Sequence, residues 1–357
     1  MFTTSRNRVL RLLILMLTLV LVGAACGDDD KTATPAGPGE PAEQVTLNLG
    51  YFPNITHSTA LVGVGNGIFA RAVGSNVELK TKTFNAGPEV IEALLADAID
   101  LSFIGPNPAI NAFAKSNGEA IRIVSGSTSG GAFFVVKPEI NSAADLKGKK
   151  IATPQLGNTQ DVALRSWLKG EGLATDTSGG GDVSIVPQAN ADTLTAFQEG
   201  NIDGAWVPEP WATRLIQEAG AKVLVDERDL WPDGRFVTTH IIVRTEFLEK
   251  NPDVVKAFLE GVVEATAFVN DSPVEAKKAA NDGIESLTGK RLPDQVIETS
   301  WENLTFTTDP IASSLAKSAE DAEAVGLLDP VDLDGIYDLK LLNEVLSDGG
   351  LEAVKGL

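Results

Sequence analysis

Two histidines, one cysteine and several clusters of Ser, Thr, Asn and Gly carry the reactive chemistry of this sequence. His57 and His240 stand far apart, and a zinc site needs several His, Cys or carboxylate ligands that converge. No Gly-X-Ser-X-Gly elbow, Walker A loop or His-Glu-X-X-His pair occurs. The expectation is therefore no catalytic residue, no metal and no cofactor: a binding protein and not an enzyme. What remains is a set of neutral hydrogen-bonding groups in three loops. Asn54, Thr56 and His57 lie between an apolar run and Ser58. Ser127 and Thr128 lie in the hydroxyl- and glycine-rich stretch Ser125–Gly131. Asn158, Thr159 and Gln160 follow Gly157 at the start of a helical pattern. A helix start presents unpaired N–H groups and roughly half a positive charge, so it can hold an anion without Lys or Arg. Taken singly, each of these is as well explained as a helix cap. Together they point to an oxyanion.

The elements that must position these loops alternate in kind. Apolar runs such as Val45–Tyr51, Leu101–Ile104, Lys150–Thr153 and Gly204–Val207 read as strands. Between them lie helical patterns such as Ser58–Phe69, Thr159–Lys169 and Trp211–Ala219. That rhythm predicts α/β sheets with parallel strands; beyond Pro252 the pattern is mainly helical. One internal echo stands out. Ile99-Asp100-Leu101-Ser102-Phe103-Ile104-Gly105-Pro106-Asn107-Pro108 matches Ile202-Asp203-Gly204-Ala205-Trp206-Val207-Pro208-Glu209-Pro210 with one gap. Each copy crosses a short strand and ends in Pro-X-Pro before a helix, which places Asn107 and Glu209 at helix N-caps. Ligands in open α/β sheets bind beyond the carboxyl ends of the strands. Two such edges predict two similar lobes facing each other across a cleft. Glu is a poor N-cap, so Glu209 either faces the ligand or caps its helix. Trp206 reads as core, and Trp211 either packs or walls the site.

The N-terminus has another character. Arg6, Arg8 and Arg11 precede the apolar run Leu12–Val22, and Gly23-Ala24-Ala25 precedes Cys26. This is a secretory signal over residues 1–25, too short to span a bilayer comfortably. Cys26 is the only cysteine among 357 residues, which excludes a disulfide within the chain and makes it the candidate lipidation site. The segment resembles a lipobox, with Gly23 where Leu is usual. Residues 26–44 are acidic and then rich in Pro, Gly, Ala and Thr, a composition for a disordered linker. The chain carries a net charge of −20, so a nucleic-acid partner is not expected. The acidity speaks for solubility outside the cell.

The motifs Gly50-Tyr51-Phe52-Pro53-Asn54-Ile55-Thr56-His57, Phe84-Asn85-Ala86-Gly87-Pro88, Ile104–Pro108, Thr153–Thr159, Val207-Pro208-Glu209-Pro210-Trp211 and Thr238-Thr239-His240 span the chain after the linker. They resemble the nitrate/sulfonate/taurine group of ABC-transporter substrate-binding proteins. The resemblance implies a two-lobe type II periplasmic-binding fold, each lobe a mixed sheet flanked by helices, with the ligand cleft between lobes. Two crossovers, expected near Val136–Pro138 and Thr238–His240, would form a hinge. They would separate lobe 1 (45–136 plus 241–357) from lobe 2 (138–238). It also implies delivery of a small solute to a permease and an ATPase; with the lipidation segment, the expectation is a monomer on the outer face of the cell membrane. A related fold family makes a thiamin pyrimidine from its own histidine with a cysteine-rich motif; this sequence has no such motif. The ligand-binding set is Asn54, Thr56, His57, Asn107, Ser127, Thr128, Asn158, Thr159, Gln160, Glu209 and Trp211. An alkanesulfonate, taurine or nitrate fits the neutral donors. Taurine gains if Glu209 faces its ammonium, and a plain oxyanion fits if Glu209 points away. A pyrimidine or other aromatic precursor, stacked on Trp206 and Trp211, is the alternative.

Overall fold

The computed structural model describes residues 44–357. The signal segment, Cys26 and the linker up to residue 43 lie outside the described residues. Among the described residues no helix is long and apolar enough to cross a membrane.

Among the described residues eleven strands form two mixed sheets. They are β1 (Val45–Tyr51), β2 (Val77–Thr83), β3 (Leu101–Ile104), β4 (Ile121–Gly130), β5 (Ala132–Val136), β6 (Lys150–Thr153), β7 (Ser184–Pro187), β8 (Gly204–Pro208), β9 (Lys222–Asp226), β10 (Val237–Arg244) and β11 (Leu304–Phe306). The first sheet runs β11-β4-β10-β3-β1-β2 and the second β7-β6-β8-β5-β9. The parallel pairs are β1 with β2 and β3, and β6 with β7 and β8; β5 and β10 enter antiparallel. Short βα connections supply the parallel part, as the alternating pattern predicts. Both faces of each sheet are covered, so buried runs such as LSFI and GAWVP carry no alternation. One face of the first sheet packs Leu47, Leu49 and Phe103 on Phe258, Val262 and Ile284 of the C-terminal helices. The other packs Ile104 and Ile123 on Ile110, Phe113 and Leu315. Burying one such Leu, Ile or Phe contributes about 1.5–3 kcal/mol.

The two copies of the sequence echo occupy equivalent strands. β3 lies between parallel β1 and antiparallel β10; β8 lies between parallel β6 and antiparallel β5. Their aspartates do the same work. The Asp100 carboxylate accepts from the backbone N–H of Asn48 (2.9 Å) and from Arg244 Nη2 (2.9 Å). The Asp203 carboxylate accepts from the backbone N–H of Lys150 (3.0 Å) and from Lys137 Nζ (3.0 Å). Each ties a parallel neighbour to an antiparallel one at the amino edge, opposite the Pro-X-Pro end.

The chain changes sheets at places other than those expected. Phe133–Val136 is already paired in the second sheet, and the passage lies at Gly130–Gly131. Both glycines hold positive φ, 81° and 71°, a conformation that costs other residues more. The return passage is residues 227–236, and Thr238–His240 belongs to β10, a central strand of the first sheet. The run Val-Thr-Thr-His-Ile-Ile-Val suits a strand; its partners β3 and β4 are too distant in sequence to betray the pairing.

Candidate functional site

The carboxyl ends of β1, β3, β6, β7 and β8 converge where the two sheets face each other, and there they enclose a cavity of about 20 Å³. The first-sheet side supplies Phe52, Asn54, Thr56, His57, Asn85, Gly105, Thr238 and Thr239. The second-sheet side supplies Pro154, Asn158, Thr159, Gln160, Asn190 and Pro208. None of these residues is Lys, Arg, Asp or Glu, so the wall is neutral apart from helix-end dipoles. Helices Thr159–Gly170 and Asn190–Gln198 both begin at the cavity, and the first N–H groups of a helix have no partner within it. Gly105 brings the two sides together: a Cβ there would stand 2.5 Å from Thr159 Oγ1.

Several polar atoms at this spot are buried and unpaired. Thr159 Oγ1, Thr239 Oγ1 and Asn190 Oδ1 have no hydrogen-bond partner. A buried hydroxyl without a partner costs about 1–3 kcal/mol, a strain that a ligand accepting from it would relieve. His57 is 2% exposed. Its Nδ1 accepts from the Phe52 N–H (3.4 Å), which leaves Nε2 as the protonated nitrogen. Burial pushes its pKa down to about 3, so the ring is a neutral donor at ordinary pH. The Phe52 ring lies 4.3 Å from it and holds its orientation. In this setting an anion is solvated by dipoles and not by counter-charges, and it must be small.

Six of the residues expected from the sequence line the cavity: Asn54, Thr56, His57, Asn158, Thr159 and Gln160. The other five do not. Asn107 is the second residue of helix Pro106–Lys115, whose N-cap is Gly105; its Nδ2 donates to the Ser318 carbonyl at 3.0 Å. Ser127 and Thr128 belong to β4 and not to a turn. Thr128 Oγ1 donates to the Thr56 carbonyl (2.8 Å) and so braces the loop that does line the site. Glu209 precedes Pro210, the N-cap of helix Trp211–Ala219. Its carboxylate accepts from Thr213 N (3.1 Å), Thr213 Oγ1 (2.8 Å), Ser300 Oγ (3.2 Å) and Asn303 Nδ2 (2.8 Å). Four donors saturate it, and it points away from the cavity while pinning the second-sheet side to the C-terminal helices. Burial nevertheless pushes its carboxyl pKa up. Trp211 Nε1 donates to Asn54 Oδ1 at 2.9 Å across the gap, and the Arg214 guanidinium covers its ring at 4.8 Å. Trp206 is fully buried, with Nε1 on Glu227 at 2.7 Å. Neither tryptophan lines the cavity, so the aromatic-precursor alternative gains no stacking residue there.

Four lining residues with hydrogen-bonding side chains lie outside the set expected from the sequence: Asn85, Asn190, Thr238 and Thr239. Asn190 had a legible signal, since it opens a helix directly after an apolar strand, the same pattern as Thr159. Thr238 and Thr239, expected at a hinge, lie instead within β10.

The sequence profile of the NMT1-like family matches residues 40–282. The chain belongs to the NMT1-like family. Among its relatives, the taurine-binding periplasmic protein of Escherichia coli K12 is 29% identical over 63% of this chain and 66% of its own length. The chain thus spans about two thirds of that relative. The fold is shared with solved binding proteins. The nitrate-binding protein NrtA of Synechocystis PCC 6803 aligns with a TM-score of 0.70 at 16% identity, over 86% of this chain and 89% of that one. The alkanesulfonate-binding protein SsuA of Xanthomonas axonopodis pv. citri, bound to MOPS, aligns at 0.66 and 21% identity, over 81% and 96%. The taurine-binding relative and these two solved proteins are named as binding proteins. Among the described residues no group of three or more His, Cys, Asp or Glu could hold a metal ion.

Proposed function

We propose that this NMT1-like protein is the extracytoplasmic solute-binding component of an ABC importer. It captures a small oxyanion, such as an aliphatic sulfonate, taurine or nitrate, between its two halves and delivers it to a permease and an ATPase. One observation carries the reading: unpaired hydroxyls from opposite sides, Thr159 Oγ1 and Thr239 Oγ1, bound the same buried, uncharged cavity. Two helix starts and the neutral His57 add donors of the same kind. Because Glu209 is saturated elsewhere, a plain oxyanion needs no ammonium to offset it. The lobes are best taken as 45–130 with 237–357, and 132–226, following sheet membership. Binding energy then favours the closed arrangement over an open one.

The protein works as a monomer, held to the outer face of the membrane by a lipid on Cys26. A diacylglycerol there anchors by burying acyl carbons, about 0.8 kcal/mol per methylene. Expressed in its own host, the Cys26→Ala chain should leave the membrane fraction; retention would refute the anchor. The solute is tested by thermal unfolding with sulfonates, taurine, nitrate, bicarbonate and pyrimidines. A true ligand at 100 times its Kd adds about 2.7 kcal/mol. Absence of any shift with every sulfur and nitrogen oxyanion refutes the reading.

A further inference from the structure

Trp211 stands outside the small cavity, yet its indole reaches a residue that lines it. Nε1 donates to Asn54 Oδ1 at 2.9 Å, from the first residue of helix Trp211–Ala219 on the second-sheet side to the Asn54–His57 loop on the first-sheet side. The bond decides which end of the amide faces the cavity. The oxygen and nitrogen of an Asn side chain have nearly the same shape, and only their hydrogen-bond partners tell them apart. An indole nitrogen is a donor and never an acceptor. It can face only the amide oxygen, so Nδ2 is the end left for the cavity.

The rest of the loop leaves the amide to this partner. Asn54 is the N-cap of the short helix Ile55–His57, where an Asn oxygen ordinarily turns back onto a backbone N–H; its side chain makes no such cap bond. The backbone closes the turn instead, from the His57 N–H to the Asn54 carbonyl at 2.9 Å, and Thr128 Oγ1 braces it at the Thr56 carbonyl. The indole is fixed as well. It packs on the hydrophobic cluster that includes Leu194, Val207 and Leu215. The Arg214 guanidinium lies 4.8 Å over its ring and is itself held by Glu218 at 2.8 and 3.0 Å. His57 shows the same device: the Phe52 N–H, another obligate donor, takes Nδ1 and leaves Nε2 to donate.

We propose that Trp211 is a positioning residue that sets the polarity of the site: its N–H holds Asn54 with the donor end inward and so selects anions over solutes that must themselves donate. The inference rests on the oxyanion reading of the small cavity and adds to it a residue that never touches the solute. Because the bond spans the two sides, it forms as they close, and closure and the inward donor arise together. Without the indole N–H an anion meets Oδ1 turned against its charge, or it binds to Nδ2 and leaves Oδ1 buried without a donor. Either arrangement should lower affinity at least about fivefold.

Titration calorimetry with methanesulfonate, taurine and nitrate at pH 8 tests this. The proteins are the unaltered chain, Trp211→Phe, Asn54→Ala, the double variant and Asn54→Asp, each shown to be folded by circular dichroism. Phe keeps a ring under Arg214 and removes the N–H, and it should weaken binding at least about fivefold. In the Asn54→Ala background no oxygen is left to strand, so the double variant should bind no more weakly than Asn54→Ala alone. A purely structural role of Trp211 would not give that coupling. Asn54→Asp keeps an acceptor for the indole but turns a second, charged oxygen inward, so it should bind more weakly than Asn54→Ala. The proposal is overturned if Trp211→Phe binds as tightly as the unaltered chain. It is also overturned if the loss persists in full in the Ala background, or if Asn54→Asp binds at least as well as Asn54→Ala. In each of these cases the unaltered chain still binds and the oxyanion site stands. If the unaltered chain binds none of the three solutes, both readings fall.

Discussion

Replacing Thr159 by Val changes one atom of consequence, and the account predicts opposite signs for its two effects. Val keeps the β-branched shape and removes Oγ1, which is buried, unpaired and 2.5 Å from where a Cβ on Gly105 would stand. In the ligand-free protein the hydroxyl has no partner to lose. Its removal abolishes a desolvation cost of about 1–3 kcal/mol, so unfolding by denaturant should give equal or greater stability. In the complex the hydroxyl donates to an anion, a charge-assisted bond worth about 1.5–3 kcal/mol. Affinity should therefore fall about 10- to 150-fold at 1.4 kcal/mol per decade. Thr159→Ser, which restores the donor, should recover most of that loss. Calorimetry and urea unfolding on the three proteins supply both numbers. Unchanged affinity in the Val variant would remove Thr159 from the site. A stability loss above about 1 kcal/mol would make the hydroxyl structural.

Glu209→Ala should behave in the reverse manner. It strands buried donors on Thr213 and Asn303, so we expect about 2–4 kcal/mol of lost stability and an unchanged ratio of taurine to ethanesulfonate affinity; a selective loss of taurine would mean that the carboxylate meets the ammonium. Acid sensitivity follows from His240, whose ring is buried without partners and whose pKa is pushed down to about 3 from 6.5 by desolvation. Between those values only the unfolded chain takes up this proton, so stability falls as pH falls, by about 1.4 kcal/mol per unit for one such group. His57 adds a second term of the same sign. His240→Leu should flatten the slope below pH 6.5 by one such term, and superimposable pH profiles would contradict it. Glu227, raised to about 7 by burial, acts oppositely: its proton is held by the folded state between pH 4.5 and 7, so its contribution is lost as pH rises. Glu227→Gln should steepen the acid decline in that window.

The local part of the architecture was legible because it is written locally. Strands such as Leu101–Ile104 and helices such as Trp211–Ala219 have the observed bounds, and the loops at 54–57 and 158–160 meet at the cavity as their helix starts suggest. The echo between residues 99–108 and 202–210 marks equivalent strands, although its best-matched acid, Asp100 and Asp203, serves the sheets and not a ligand. What failed depends on distant pairing. β10 closes the first sheet against β3 and β4, more than a hundred residues earlier, so its threonines read as a linker. Ser127 and Thr128 look like a turn because Ser and Gly are poor strand formers; pairing with β10 and β11 overrides that preference. Glu209 reads equally as a ligand contact or a helix cap; it accepts from the Thr213 N–H in the first turn, and its other partners Ser300 and Asn303 lie about ninety residues away.

A crystal structure of the chain with methanesulfonate tests the central claim most directly. The account predicts sulfonate oxygens within about 3 Å of both Thr159 Oγ1 and Thr239 Oγ1, with no Lys or Arg in contact. A sulfonate bound elsewhere, or held at this place by a cationic side chain, would contradict it.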